Sequence, residues 1–157
     1  RLAQRLFIQQ KLLELPLFAE CEEAFVDALA ERIEERQVEE GEDIVKEGAE
    51  VNSMFFVLRG ECSVLLDGVR AESLRVGAYT KAAVVGELMV LGTALTWQAT
   101  VRASSPCTVC ELAANDFDEV VLEHPAEQSR FEALQEAHNQ PQYVDAGTLH
   151  GRIDVFR

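Results

Sequence analysis

The spacing of hydrophobic positions changes along the chain. Near the N-terminus apolar side chains recur every three or four positions, at Phe25, Leu29 and Ile33, with acidic residues between them, which predicts an amphipathic helix. From residue 44 onward, short runs rich in Val, Phe and Leu alternate with turns that contain glycine. This pattern is typical of short strands in a sandwich or barrel, and the Asp-Gly pair at 67–68 predicts a hairpin turn.

Helical spacing returns in the last third of the chain. The N-cap of a helix is expected at Asn115 or Asp116, followed by an apolar stripe. Pro125 then marks a break, and a further helix is predicted over about 126–139. The chain is therefore assigned to the α+β class, with helices on both sides of an antiparallel β structure.

Length and charge limit the classes of partner. At 157 residues the chain is large enough for one domain with a buried core. Its net charge of −14 argues against nucleic acid and anionic membranes, which both require a basic patch. The acidic run at 20–50 is interpreted either as a solvated face or as a contact surface for a basic partner. No apolar run approaches the roughly 18 residues of a membrane span, so membrane insertion of this fragment is not expected.

The four cysteines are expected to be reduced thiols. Cys107 and Cys110 have CxxC spacing, but residues three apart in a strand point to opposite faces, so a zinc site is not expected. The other two, Cys21 and Cys62, form no second CxxC pair. Scattered cysteines in an acidic domain indicate a reducing, cytosolic compartment. The three histidines form no constellation with a serine or cysteine, so no catalytic residue and no enzymatic activity are predicted.

The stretch 85–103, which reads VGELMVLGTALTWQATVRA, carries the most specific motif of the chain. It resembles the phosphate-binding cassette of the cyclic nucleotide-binding domain family, in which a Gly-Glu-Leu/Ile turn opens a short helix. The resemblance covers roughly 13–131 and is closest to the ion-channel branch. It implies an antiparallel β-roll, a double-stranded β-helix or jelly roll, between N-terminal helices and the C-terminal B and C helices. It also implies a linker helix end at 1–15, the domain at 16–140 and a tail at 141–157.

Trp97 stands where the cassette of the family has an arginine. In the family this arginine and the start of the short helix hold the cyclic phosphate. The resemblance implies that Gly86, Glu87 and Leu88 form the helix start, with Glu87 bound to the ribose 2′-hydroxyl or simply favourable to the helix dipole. Tryptophan has one neutral N–H donor, so its presence predicts a loss of roughly 2–5 kcal/mol, about 30- to 4000-fold in affinity.

Further positions are candidates for nucleotide contacts. Gln98 stands where some family members have a threonine that contacts guanine or phosphate, and Thr100 where others have serine or threonine, with Ala99 between them. Both side chains are alternatively interpreted as serving the strand that follows. Lys81 lies in a small insertion relative to the family, and it either swings in as a substitute cation or stays solvated on its loop. Stacking of a base on Trp97 would contribute roughly 1–3 kcal/mol.

Three functions stay open at this point. The leading hypothesis is a regulatory domain of an ion channel or membrane transporter, with a degenerate cassette and weak or absent binding of cAMP and cGMP. The alternative is a working cAMP or cGMP sensor with non-standard phosphate contacts, coupled to gating or kinase regulation. The third is a β-sandwich whose pocket holds another metabolite or its own tail, through Tyr143, Val144 or Phe156.

The expected partners follow from these hypotheses. They are a cyclic nucleotide, with no other cofactor and no metal, and the rest of a longer channel or transporter chain, since the sequence opens with Arg1 and has no signal peptide. The parent protein is expected to place this domain in the cytoplasm and to form a homo-oligomer. The first helix is expected either to pack on the domain or to continue toward a membrane part.

Overall fold

The computed structural model describes residues 2–76, 83–85, 90 and 96–138. Helices lie at both ends of these ranges and strands between them, which confirms the predicted α+β class. The elements, in chain order, are α1 Leu2–Leu13, α2 Glu23–Arg32, β1 Glu34–Val38, β2 Asp43–Val45, β3 Ser53–Leu66, β4 Val69–Val76, β5 Ala83–Val85, β6 Thr100–Ala103, β7 Cys107–Ala113, α3 Ala114–Leu122 and α4 Pro125–His138.

Strand β3 organises the sheet. Its first half, from Ser53 to Arg59, pairs with β7 and β5, and its second half, from Gly60 to Leu66, pairs with β4 and β6. Strand β1 extends the sheet beyond β7, and β2 extends it beyond β6; all of these pairings are antiparallel. Because one long strand serves two sets of partners, the sheet curls into a β-roll.

Gly60 lies where β3 passes from one set of partners to the other. Its φ is 118°, a backbone conformation that favours glycine. A Cβ at this position would lie 2.5 Å from the Cys107 sulfur and 2.8 Å from the Pro106 carbonyl oxygen. The absence of a side chain therefore lets the start of β7 pass directly over the bend in β3.

Alternation along β7 separates two apolar clusters. Cys107 and Val109 face the inside of the roll, whereas Cys110 and Leu112 face the helices. The inner cluster consists of Val38, Ile44, Val45, Phe55, Val57, Cys62, Val101, Ala103, Cys107 and Val109. The outer cluster joins the other face of β3 and β7 to the four helices. The prediction that the two CxxC cysteines point to opposite faces is confirmed, and none of the four cysteines forms a disulfide bond.

Helix α1 packs on the domain. Ile8 and Leu12 are buried in the outer cluster. Arg5 donates to both carboxylate oxygens of Asp27 on α2, at 3.0 and 3.1 Å, and to Glu31 at 3.0 Å. Of the two expectations for the first helix, packing is the one that the structure shows.

The start of α3 differs from the prediction. The N-cap was expected at Asn115 or Asp116, but the helix begins at Ala114 without a side-chain cap. The Ala114 N–H donates instead to the Asn52 carbonyl at 2.8 Å, so the backbone before β3 holds the junction between β7 and α3. Asp116 forms an ion pair with Arg32 of α2 at 2.9 Å. A cap that comes from a distant segment leaves no local sequence signal.

The hairpin and the last helix lie close to their predicted positions. Asp67 and Gly68 both have positive φ, 53° and 77°, and join β3 to β4 as predicted. Helix α4 begins at Pro125 rather than after it, because the fixed φ of proline suits the first helical position.

Candidate functional site

Trp97 points toward the inside of the roll. The backbone N–H of Trp97 donates to the Ala49 carbonyl, and the Trp97 carbonyl accepts from the Gly48 N–H, both at 2.8 Å. The turn before β3 therefore holds the Trp97 backbone. The half-buried indole packs against the inner cluster. Its ring centroid lies 6.4 Å from that of Phe55, with 44° between the ring planes. The residue at the arginine position of the cassette therefore adds an aromatic surface to the roll.

Phe55 contacts the cassette-like stretch at two places. Val85, directly before Gly86 in sequence, is the strand partner of Phe55 across β5 and β3. The Trp97 ring, further along the same stretch, also packs near Phe55. Phe55 itself is 6% exposed and belongs to the inner cluster. The candidate site is therefore centred on Phe55, at the inner face of the roll.

The residues after Trp97 make structural bonds. The Gln98 side-chain amide donates to the Thr96 carbonyl at 3.3 Å, and Ala99 is buried. The Thr100 hydroxyl accepts a hydrogen bond from the Glu47 N–H at 3.0 Å. These contacts agree with the interpretation that Gln98 and Thr100 serve the start of β6.

The other candidates lie outside the described residues. They are Gly86, Glu87 and Leu88 at the cassette start, Lys81 in the insertion, and the tail residues beyond 138. The ribose contact, the substitute cation and the insertion of the tail into the roll therefore stay predictions.

A guanidinium reaches the same aromatic group from β1. Arg36 pairs with Val109 of β7, and residues paired across antiparallel strands share a face, so Arg36 faces the inside of the roll. Its Cζ lies 5.8 Å from the centroid of the Phe55 ring, within the range of a cation–π contact. Phe55 thus contacts both a cation and a second aromatic ring.

Sequence reasoning missed Arg36 and Phe55. A signal existed for Arg36, because Val38 is an apolar strand residue two positions away and must share its face. No comparable signal exists for Phe55. The run 54–57 is apolar throughout, since both faces of β3 are buried, so alternation cannot tell which phenylalanine faces the roll.

Comparison with known proteins agrees with this geometry. A sequence model described as "Cyclic nucleotide-binding domain" matches residues 35–124, more than half of the chain. The chain belongs to the cyclic nucleotide-binding domain family. Potassium/sodium hyperpolarization-activated cyclic nucleotide-gated channel 2 of Mus musculus and of Homo sapiens are each 32% identical over 120 residues, 76% of this chain but 13% of the channel. Channel 4 of Oryctolagus cuniculus is 31% identical over the same length, 10% of that channel.

Solved structures show the same fold. The C-linker/CNBHD of zELK channels, crystallized in the presence of cAMP, has a TM-score of 0.64 and 21% identity, and the match covers 85% of this chain and 68% of that one. A second crystal structure of the same channel region has a TM-score of 0.59 and 22% identity, with coverage of 75% and 67%. The resemblance to cyclic nucleotide-binding domains of the ion-channel branch, and the β-roll that it implied, are confirmed.

The inner face of this cyclic nucleotide-binding domain also carries carboxylates. Glu34 of β1 and Glu111 of β7 are strand partners, two positions away from Arg36 and Val109. The Ser53 hydroxyl donates to the Glu111 carboxylate at 2.7 Å. An anion bound here would therefore meet one guanidinium and two carboxylates, one of which is already hydrogen-bonded.

Helix α4 is attached to the α1–α2 linker by a largely buried ion pair. Glu127 is 4% exposed, accepts a hydrogen bond from the Glu22 N–H at 2.8 Å, and lies 3.3 Å from Nε of Arg130. The Arg130 guanidinium also donates to the Leu17 carbonyl and to the Cys21 sulfur. Two side chains of α4 thereby hold the segment that connects the first two helices.

Protonation states at this contact follow from burial and partners. Burial alone would raise the pKa of Glu127, but hydrogen bonds from the Glu22 N–H, Cys21 and Arg130 outweigh it, and the pKa lies below its ordinary value. Burial raises the pKa of Cys21 to about 11, against the opposite effect of Arg130. At neutral pH the contact therefore consists of a carboxylate, a guanidinium and a neutral thiol.

A metal site and a membrane-spanning helix are both absent from the described residues. Within the described residues, no three His, Cys, Asp or Glu side chains are arranged to hold a metal ion. No helix in these ranges is both long and apolar enough to cross a membrane. At the inner face of the roll, the described residues that bring aromatic rings and a cation together are Phe55, Trp97 and Arg36.

Proposed function

We propose that the chain is a cytoplasmic regulatory domain of a longer ion channel or membrane transporter, and that it binds cAMP and cGMP weakly or not at all. The observation that carries this proposal is the place of Trp97, whose indole packs near Phe55 at the inner face of the roll. An arginine there would offer a positive charge and paired donors to a cyclic phosphate. The indole offers one neutral N–H.

The expected loss of affinity is large. Removing one partner of a hydrogen-bonded charge pair costs roughly 2–5 kcal/mol, about 30- to 4000-fold in Kd. Stacking of the base on Trp97 would offset roughly 1–3 kcal/mol of that loss. Without stacking, a site that would otherwise be micromolar is therefore expected to have a Kd of roughly 30 μM to 4 mM, and stacking would tighten it by part of that factor.

Calorimetric titration with cAMP and cGMP tests the proposal, with Trp97→Arg as the informative variant. The wild-type domain should show weak or undetectable binding even at millimolar nucleotide. Trp97→Arg should bind at least about tenfold tighter than a variant that lacks both the ring and the charge, because hydrogen bonds to charged groups contribute roughly 1.5–3 kcal/mol. Trp97→Gln is the matched control, since it also removes the ring but supplies only neutral donors, and it should show no gain.

Two outcomes would contradict the proposal. Saturable micromolar binding by the wild-type domain would refute weak binding. Equal affinities in Trp97→Arg and Trp97→Gln would show that the missing guanidinium is not what limits the site.

The regulatory role requires a connection between the roll and the rest of the parent chain. We assign this role to α4. The Gln135 side chain on α4 donates to the carbonyl of Val90, within the cassette-like stretch, at 3.3 Å, while Glu127 and Arg130 hold the α1–α2 linker. A displacement of α4 within the domain at 16–140 would therefore be transmitted to α1, which lies within the proposed linker at 1–15.

A second candidate function, a working cAMP or cGMP sensor with non-standard contacts, is favoured by one observation. Arg36, Phe55 and Trp97 place a cation and two aromatic rings at one inner face. The titration described above separates the two candidates, since a sensor would saturate at micromolar nucleotide without any change at Trp97.

A further inference from the structure

We propose that Arg36 is the anion-binding residue of this domain, and that the ligand combines an anionic group with a planar aromatic ring that packs against Trp97. The proposal rests on the proposed function in one respect, that the inner face of the roll beside Trp97 is where any ligand would be bound. It adds a cation from β1, an element outside the cassette, to the site left without the cassette arginine.

The placement of Arg36 follows from strand register. On the inner face, Arg36 stands beside Val109, and Val38 stands beside Cys107. Phe55 shares that face, and the contact of its ring with the Arg36 guanidinium confirms the orientation. The Trp97 ring also packs near the Phe55 ring. Phe55 is therefore the group that the indole and the guanidinium share.

The guanidinium is available to a ligand. Arg36 is exposed, and in the part of the chain that the structure describes it takes part in no ion pair. A guanidinium over an aromatic face keeps its N–H donors in its own plane, where they can bind two oxygens of a phosphate or carboxylate. The contact with Phe55 limits the rotamers of the side chain, which lowers the entropy lost on binding.

The neighbouring groups narrow the class of ligand. Glu34 and Glu111 repel an anion, so an anionic group without a ring gains little at this face. A neutral ring could pack against the indole but would gain no charge interaction with Arg36. A molecule with both parts would use both the indole and the guanidinium, which each contact Phe55.

Fluorescence of Trp97 reports on the site directly, because it is the only tryptophan of the chain. The domain would be titrated with cAMP as ring plus anion, adenosine as ring alone, and inorganic phosphate as anion alone. We expect cAMP to bind about tenfold or more tighter than adenosine, from the general strength of hydrogen bonds to charged groups. Phosphate alone should bind more weakly than either.

Three variants then test Arg36. Arg36→Gln should raise the Kd for cAMP to that for adenosine and leave adenosine binding unchanged. Arg59→Gln is the matched control: it removes the same charge from β3, but Arg59 pairs with Thr108, on the outer face. Glu111→Gln should lower the Kd for cAMP by about threefold, the effect of one carboxylate roughly 7 Å away in water, without changing that for adenosine. Circular dichroism of each variant checks that the fold is retained.

The results separate this inference from the proposed function. Micromolar cAMP binding that Arg36→Gln abolishes would support Arg36 and refute weak binding. If the wild-type domain binds cAMP weakly, and Arg36→Gln has the same affinity for cAMP as Arg59→Gln, then Arg36 is not the anion-binding residue. The proposed function would still stand in that case. Equal affinity for cAMP and adenosine, or no response of Trp97 to any probe, would also overturn the inference.

Discussion

Replacing Glu127 with glutamine should weaken the attachment of α4 to the α1–α2 linker. Glutamine keeps the size of the side chain and a carbonyl that can accept from the Glu22 N–H, but it removes the charge that faces Arg130. Because Glu127 is 4% exposed, the guanidinium would lose its carboxylate in a largely buried place. The loss should appear in the free energy of unfolding, without a change of fold.

The size of the effect follows from burial and screening. Hydrogen bonds to charged groups contribute roughly 1.5–3 kcal/mol each. The Arg130 side chain is 31% exposed, so water screens part of the lost attraction. We expect Glu127→Gln to lower the free energy of unfolding by about 1–2 kcal/mol at neutral pH.

The loss should also depend on pH, with a defined sign. The pKa of Glu127 is lowered in the folded protein from its ordinary value near 4.5. A depressed folded pKa means that the unfolded chain takes up the proton first, so the stabilisation is complete above pH 4.5 and is lost as pH falls through the folded pKa. Glutamine does not titrate. The difference between wild type and Glu127→Gln should therefore be largest near neutrality and shrink in acid.

Urea unfolding followed by circular dichroism, from pH 7 down to about pH 4, measures this difference. Glu132→Gln is the control, because it removes the same charge from an exposed position on the same helix. Its effect should stay within about 0.5 kcal/mol. The reasoning is refuted if both variants lose the same stability at neutral pH, or if the deficit of Glu127→Gln grows in acid.

Four further substitutions test the packing and one ion pair by urea unfolding. Gly60→Ala should lower the free energy of unfolding by roughly 2 kcal/mol or more, since the new Cβ would lie 2.5 Å from a sulfur and 2.8 Å from a carbonyl oxygen. Gly68→Ala should lower it by about 1 kcal/mol, because Gly68 has a positive φ but no atom within 4 Å of the added Cβ. Equal losses would contradict this account. Phe131→Ala should cost about 3–5 kcal/mol, because the ring is 1% exposed and contacts three other phenylalanines; a loss under about 1 kcal/mol would show that the outer cluster tolerates the cavity. Asp43→Asn should cost less than about 1 kcal/mol, because its partner Arg102 is 45% exposed; a larger loss would mean that this ion pair is poorly screened.

Features encoded by neighbouring residues could be predicted from the sequence. The helical spacing around Phe25 and Leu29 was enough for α2, and the Asp-Gly pair at 67–68 was enough for the hairpin, because both depend on contacts within a few residues. The cassette motif at 85–103 identified the family, since its residues are adjacent in sequence. The start of α3 was misplaced, because its first N–H is bound by Asn52 rather than by a local cap.

The arrangement of the candidate site was decided by the tertiary structure. The placement of Arg36 against Phe55 depends on the register of β1, β7 and β3, and the approach of Trp97 depends on the turn at 46–50. The bond from the Glu22 N–H to Glu127 joins positions 105 residues apart. The sequence alone determined the family and the order of elements, because both depend on the spacing of nearby hydrophobic residues and on a motif of adjacent residues. The groups that meet at the inner face were decided by how the sheet curls, since β3 is apolar on both faces and its pattern does not say which face turns inward.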